Sequence, residues 1–488
     1  MSNVQFPRHP RLALQIVNRS SGSKLRRIAK FALLLFCSWP VALLAGSTYY
    51  LSPGGSDRND GLSSNSPWLT PNHSLTCGDV ILAFPSTSYN AANFGSGRWG
   101  NVSCPSGDNV AWLQCQQFDA CKITSDNQPA GMWVDHSYWG VQGWEVTMTS
   151  GAIWGGCFEA SPSYFLPLEI HHIIFANNVA NGCQGNGISS ANRGILASVD
   201  YLAVVGNIVY HAAQSNTECY SGISIYEPVQ SDWAAGTHIY IAGNLSYGTT
   251  DPDPCAYGIP YDGEGLIFDT LDGSQQGLHA PYGAQVLAEN NILIGNGGRG
   301  LEVGHNNSGL PPFATVYIRN NTIWGNNRDT NQNSRGCGEL NLNRTTTTVA
   351  TSNLVATSSA TGCGYNPIYP LSVTQSDGSV QVTQNFAYSP SGTNLESWDN
   401  GSFSYGSTNT VGIDPDFANP IIPGAPYCTG ASSAADCMAP VIANFTPRAP
   451  AAAGLGYQVP AVAASYDPLF PQWLCNVNLP PGLVNSGC

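Results

Sequence analysis

Lysine is almost missing from this chain. Only Lys24, Lys30 and Lys122 occur in 488 residues, and the first two belong to a basic leader. Residues 1–47 hold seven Lys or Arg and no Asp or Glu. The remainder therefore keeps 10 of the 17 basic residues against all 31 acidic ones, a formal charge of −21. A surface so short of cations argues against nucleic-acid binding, because phosphate recognition needs clustered Lys and Arg. No CxxC pair occurs, which argues against structural zinc. No amphipathic helical run stands out, and only 10% of residues are charged.

Long apolar runs are missing too. Phe31 to Leu44 is the nearest approach, and Pro40 interrupts it. Arg26, Arg27 and Lys30 precede this run, and Ala45, Gly46 and Ser47 follow, which reads as an export signal over residues 1–47. The run is short for a membrane span. The long basic leader leaves an uncleaved anchor or an early start codon as alternatives. The expected product is a secreted, extracellular or periplasmic monomer with no membrane attachment after cleavage.

Turn-forming residues are what the chain has in quantity, with 53 glycines and 33 prolines. That composition suits a turn-rich all-β protein. Of the 15 cysteines, Cys37 lies in the leader and 14 remain, an even number suited to disulfides. Neighbours suggest seven pairs: Cys77–Cys104, Cys115–Cys121, Cys157–Cys183, Cys219–Cys255, Cys337–Cys363, Cys428–Cys437 and Cys475–Cys488. Spacing alone does not fix that connectivity.

One asparagine recurs in a constant setting: a short β-rich run, a turn, then Asn. The positions are Asn178, Asn207, Asn244, Asn291, Asn321, Asn353 and Asn385. A fixed strand-turn pattern with elastic spacing describes stacked coils with loops of variable length. Asparagine tolerates left-handed backbone, and stacked amides can bond one another. Residues 156–420 are expected to carry these repeats, after an N-terminal cap and early coils over 48–155. Residues 421–488 are expected to cap the open end.

The segment after the leader runs Tyr49-Tyr50-Leu51-Ser52-Pro53-Gly54-Gly55-Ser56-Asp57-Arg58-Asn59-Asp60-Gly61-Leu62, then Ser66-Pro67-Trp68, with Gly78-Asp79-Val80-Ile81 beyond. This opening resembles that of secreted proteins of the pectate-lyase-like superfamily. The resemblance implies an all-β right-handed parallel β-helix and a polysaccharide partner. It also implies calcium that neutralises a uronate, and a Lys or Arg that removes the C5 proton. The chain departs from a lysine-base pattern, since Lys122 lies far from the acidic stretch described next.

Side chains alternate along strands. Taking the aliphatic residue after each Gly as inward, the outward set is Ser224 and Tyr226, Asp269, Glu302, then Glu339 and Asn341. Asp262, Glu264, Asp269 and Asp272 fall within eleven positions. Arg299 accompanies Glu302, and Arg335 accompanies Glu339. Coils stack about 4.8 Å apart, so equivalent carboxylates would lie roughly 5 Å apart, near the separation in retaining glycosidases. Such crowding raises a pKa, recruits arginine or binds a cation.

Asp269, Glu302, Glu339, Arg299, Arg335 and His305 are therefore the candidate catalytic residues. Tyr226, His279 and Asn341 are candidates for substrate binding, and Asp262, Glu264, Asp269 and Asp272 for calcium. Glu227 either edges the cleft or caps its strand. His171 and His172 are expected to face opposite sides of a strand and to be structural. The expected activity is cleavage of a uronate-containing polysaccharide, elimination placed ahead of two-carboxylate hydrolysis. The bland alternative is a glycan-binding surface protein whose Arg–Glu pairs only hold the coils together.

Overall fold

The computed structural model describes residues 46–488 apart from 106, 108, 127, 151–154, 164–168, 191–197, 215–218, 252–261, 276–279, 307–312, 330–337, 346, 360–368, 375–378, 393–395, 399–407, 425–427, 459–465, 478 and 480–487. Arg335, His279 and residues 1–45 of the leader fall outside the described residues.

The described chain winds as a right-handed parallel β-helix with three long sheets. The first sheet runs from Thr48–Leu51 to Ser379–Thr383, and the second from Ser86–Asn90 to Thr410–Val411. The third runs from Met132–Val134 to Glu396–Trp398. Neighbouring strands within them pair in parallel, each with its counterpart one coil on. Inward positions form aliphatic columns, as in Ile188, Ile223, Leu266, Leu301, Leu340 and Leu371 of the third sheet. All six are buried. A parallel sheet covered on both faces favours such runs, because each coil buries its apolar side against the next.

The asparagine ladder forms at the turn between the first and second sheets. Each Nδ2 donates to the Oδ1 of the next rung, from Asn178 to Asn207 at 3.1 Å through to Asn353 to Asn385 at 2.9 Å. Each Oδ1 also accepts the backbone N–H of the rung before. An eighth rung, Asn409, accepts from Asn385 at 3.2 Å. The left-handed backbone belongs to the residue preceding the rung: Asn177, Gly206, Gly243, Asn290, Asn320, Ser352 and Gln384. The ladder asparagine itself is selected for its amide, which satisfies buried peptide groups of the preceding coil and bonds the amide of the next rung.

Five disulfides close as the neighbour pairing expects: Cys77–Cys104, Cys115–Cys121, Cys157–Cys183, Cys428–Cys437 and Cys475–Cys488. The other two proposed pairs include Cys255, Cys337 and Cys363, outside the described residues. Five disulfides among the described residues suit an oxidising compartment of the kind exported proteins meet. Among the described residues no helix is long and apolar enough to cross a membrane.

His171 and His172 do not face opposite sides. His172 takes φ 58°, which breaks the alternation, and the two Nδ1 atoms lie 2.9 Å apart. His172 instead joins a column of stacked rings on the outer face of the first sheet, between Tyr138 and Tyr201, with His238 beyond.

The C-terminal segment contributes the one α-helix among the described residues, Ala434–Asn444, capped by Ser433. It packs with Tyr210, Tyr247 and Phe386 along the outside of the second sheet. Farther on, Phe470, Trp473 and Leu474 pack with Ile174, Tyr201 and Tyr240 of the first sheet. These residues lie lengthwise on the flanks, a placement different from a plug over the final coil.

Candidate active site

The third sheet carries the candidate residues. Four consecutive strands of this sheet end in a left-handed corner, at Glu227, Thr270, His305 and Arg344. A positive φ is disfavoured for residues with a Cβ, and its recurrence in adjacent coils aims their side chains in a common way. The Glu227 N–H donates to Asp269 O, and the Thr270 N–H to Gly304 O. Glu227 also accepts the Gln275 N–H at 2.8 Å, which ties its corner to the next loop.

The expected stack of Asp269, Glu302 and Glu339 is not what the register gives. Glu302 pairs with Ile267 on one side and Asn341 on the other. Asp269 pairs with Tyr226 and Gly304, two positions along the strand. Glu339 precedes Leu340, the partner of Leu301. The Gly-aliphatic landmark is displaced in this coil by the intervening Cys337 and Gly338, and a small shift of phase assigns a strand residue to the wrong column.

Glu339 is completely buried and ends a second asparagine stack. Asn296 donates to Asn326 at 2.8 Å, and Asn326 donates to Glu339 at 2.6 Å. The Asn326 backbone N–H also reaches this carboxyl at 3.1 Å. Burial pushes the Glu339 pKa up to about 8. The neutral carboxyl is thus the form the fold accommodates. A raised folded-state pKa gives stability that is complete below the ordinary value of 4.5 and lost as pH climbs through about 8. Thermal melts of Glu339→Gln should show a flatter decline over that window and no loss of activity. A strong loss of activity would return Glu339 to the catalytic set.

The candidates that do converge lie around two cations. Arg299 is buried, with Nη1 2.8 Å from Glu264 and 3.1 Å from Glu302. The second oxygen of Glu264 accepts from the Ser221 hydroxyl at 2.9 Å, and Glu302 accepts from Asn341 Nδ2 at 3.0 Å. His305 is the most open member, its side chain 27% exposed. Its Nδ1 is 3.0 Å from Asp269, and its Nε2 is 3.9 Å from Asp262. The Thr270 hydroxyl donates to Asp269 at 2.7 Å. Gly263 sits between Asp262 and Glu264 at φ 92°. A Cβ there would lie 3.0 Å from Gly298 N, so glycine permits the close approach of these two coils.

Crowding and burial tune the acids. Burial, then Glu264, pushes Asp262 up to about 8. Burial, then Glu302, pushes Glu264 up to about 7. Burial works against a charged His305, yet Asp269, Asp262 and Glu302 outweigh it and hold the ring well above its ordinary pKa. Burial and Glu264 thus favour the protonated form of Asp262, and the surrounding carboxyls favour the charged form of His305.

Two further carboxyls escaped the reading of the sequence. Asp251, driven to about 9 by burial and then by Asp262, Glu264 and Asp329, lies behind the cluster. Its backbone N–H donates to Asp329 at 2.7 Å. Both sit in segments that look like ordinary polar loops. The only signal was the 30-residue spacing of Asn296 and Asn326, which brings Asp329 to the same corner.

The calcium candidates are divided among other partners. Asp262 and Asp269 face His305, and Glu264 faces Arg299. Asp272 accepts the Ser274 N–H at 3.0 Å, as a turn-forming aspartate does. Among the described residues no group of three or more His, Cys, Asp and Glu is arranged to hold a metal ion. Lys122 lies on the second sheet, paired with Asp119 and Glu145.

No family model matches the chain, and no curated protein matches it. Solved structures with similar chain winding include pectate lyase Pel9A, at 15% identity over 87% of this chain and 94% of that one, TM-score 0.39. They also include a GH136 lacto-N-biosidase from Eubacterium ramulus, at 12% identity over 75% and 68%, TM-score 0.41. A rhamnogalacturonan lyase matches at 16% identity over 77% and 91%, TM-score 0.35. Likeness at this level concerns the winding of the chain, not its chemistry.

Proposed function

We propose that this protein hydrolyses a polysaccharide on the third sheet, with Asp262 as general acid and Asp269 as the carboxylate that activates water. The observation behind this reading is the ring of His305, which touches Asp269 on one edge and faces Asp262 on the other. That arrangement holds the carboxyls no more than about 9 Å apart, which does not exceed the ~9.5 Å upper limit for the catalytic pairs of glycosidases. Asp262 holds a proton at neutral pH, as an acid that protonates a leaving oxygen must.

Elimination, placed first on the sequence, fits these side chains less well. Arg299 is clamped between two carboxylates, which strengthen its hold on its protons. The carboxyls around His305 favour its charged form, which makes it a poor base. The Glu264–Arg299–Glu302 chain instead orients the floor of the site, and Asn341 extends it by one coil.

Hydrolysis and elimination leave different products. Incubation with pectin, alginate and neutral glycans should yield new reducing ends without the ultraviolet absorbance of an unsaturated uronate. That absorbance, rising in step with the reducing ends, would establish elimination and sink this reading.

A further inference from the structure

We infer that the outer flank of the first sheet holds a second, non-catalytic glycan-binding site, with Trp233 and Tyr466 as its stacking rings and an uncharged polysaccharide as its ligand. This inference rests on the carbohydrate-cleaving reading above but uses none of its residues.

Trp233 is 92% exposed and Tyr466 is 65% exposed. Isolated exposed rings are ordinary on a protein surface. These two differ in how firmly their backbones are held. Asp232, next to Trp233, accepts the Tyr201 hydroxyl at 2.9 Å and the Ala234 N–H at 2.8 Å. Just before it, Ser231 donates through both its N–H and its hydroxyl to buried Asp200. Asp200 is fixed in turn by His238 at 3.1 Å and the Tyr282 hydroxyl at 2.6 Å. On the C-terminal segment, Asp467 follows Tyr466. It accepts from Arg319 of the first sheet and from the Leu469 N–H at 3.0 Å. The polar neighbours are tied to the sheet, while the rings they carry point to solvent.

The two segments are also bonded to each other. The Thr237 hydroxyl donates to Leu469 O at 2.7 Å. Trp233 lies four residues before Thr237, and Tyr466 three before Leu469. At ~3.5 Å per extended residue, the two ring-bearing positions are no more than about 30 Å apart. An extended oligosaccharide covers such a span. Aromatic rings held in place present flat apolar faces that suit the C–H face of a pyranose, with little side-chain entropy to lose.

Charge selects the class of glycan. The flank carries Asp200, Asp232, Glu289 and Asp467, and Arg319 is committed to the last two. Beyond residue 47 the chain bears a formal −21. A polyuronate or an anionic lipid surface would be repelled, whereas a neutral polymer would not. The site would retain the enzyme on an extended substrate while the third sheet acts on it.

The test is affinity electrophoresis in gels containing xylan, galactomannan or polygalacturonate, run on Asp262→Asn protein to limit cutting of the matrix. At least one neutral polymer should retard the protein. The Trp233→Ala/Tyr466→Ala double variant should weaken that retardation about tenfold or more, and Trp233→Phe/Tyr466→Phe should restore most of it. In the otherwise native chain the alanine pair should leave cleavage of short oligosaccharides unchanged. Equal urea midpoints would show that the fold is intact. The inference is overturned if neither neutral polymer retards the protein, if the alanine pair migrates like its parent, or if only polygalacturonate binds. It is equally overturned if light scattering shows a dimer that the alanine pair dissociates, since the rings would then cover a second copy. Continued cleavage by Asp262→Asn would sink the catalytic assignment alone and leave the retardation result standing.

Discussion

Asp262→Asn should reduce polysaccharide cleavage by about 10²- to 10⁴-fold, the range a positioned general acid supplies. The substitution keeps the size of the side chain and removes the proton that the leaving oxygen needs. Asp262 sits at about 8 because burial and Glu264 both disfavour its anion. Activity of the native enzyme should therefore fall as pH rises through about 8, when that proton is lost. In Asp262→Asn this alkaline limb should vanish along with most of the rate. A structural role alone would lower activity equally at every pH. Initial rates of reducing-end formation between pH 5 and 9, for both proteins, separate the two outcomes.

Asn291→Ala should be the most damaging single change to the fold. The Asn291 amide accepts from the Asn244 N–H at 3.0 Å and from its Nδ2 at 2.9 Å. It donates to Ile241 O at 2.9 Å and to Asn321 at 3.0 Å. Truncation takes a partner from the Asn244 N–H, the Asn244 Nδ2 and the Ile241 carbonyl, each loss costing about 1–3 kcal/mol. A loss of about 3–6 kcal/mol is expected, read as a lower urea midpoint at an unchanged slope. Asn409 is the half-buried final rung, where solvent can replace what is removed. Asn409→Ala should cost about 1 kcal/mol. Equal effects at the two positions would mean that the ladder is not what holds the coils.

The ladder was legible because its chemistry is local and repeated. Seven asparagines, each in a turn after a β-rich run, must do the same thing in each coil, and the sheet register follows from that. Asn409 was missed because it lies only 24 residues beyond Asn385, in a run of Ser, Thr and Asn without an apolar lead-in. The five disulfides among the described residues follow the neighbour pairing, because loop closure between near neighbours matches stacked coils.

The site was less legible because it depends on phase. Sequence spacing placed Asp262, Glu264, Asp269, Glu302, Arg299 and His305 in one region, and there they lie. It could not show that Asp269 and Glu302 stand in different columns, or that Glu339 turns toward Asn326. Nor could spacing reveal left-handed corners on ordinary residues such as His305 and His172. Those corners decide which neighbours a side chain meets. The helix Ala434–Asn444 was hidden by its internal Pro440, a residue that ordinarily argues against helix. The lengthwise path of the C-terminal segment rests on contacts with distant coils, which no local pattern announces.

The most direct test of the account is the structure of Asp262→Asn with a bound oligosaccharide of whichever glycan the native protein cleaves. The account predicts a glycosidic oxygen within ~3 Å of the residue 262 amide, with Asp269 on the far side of the scissile bond and the His305 ring between them. A sugar chain bound away from both residues, or one whose scissile bond lies against Arg299 alone, would contradict it.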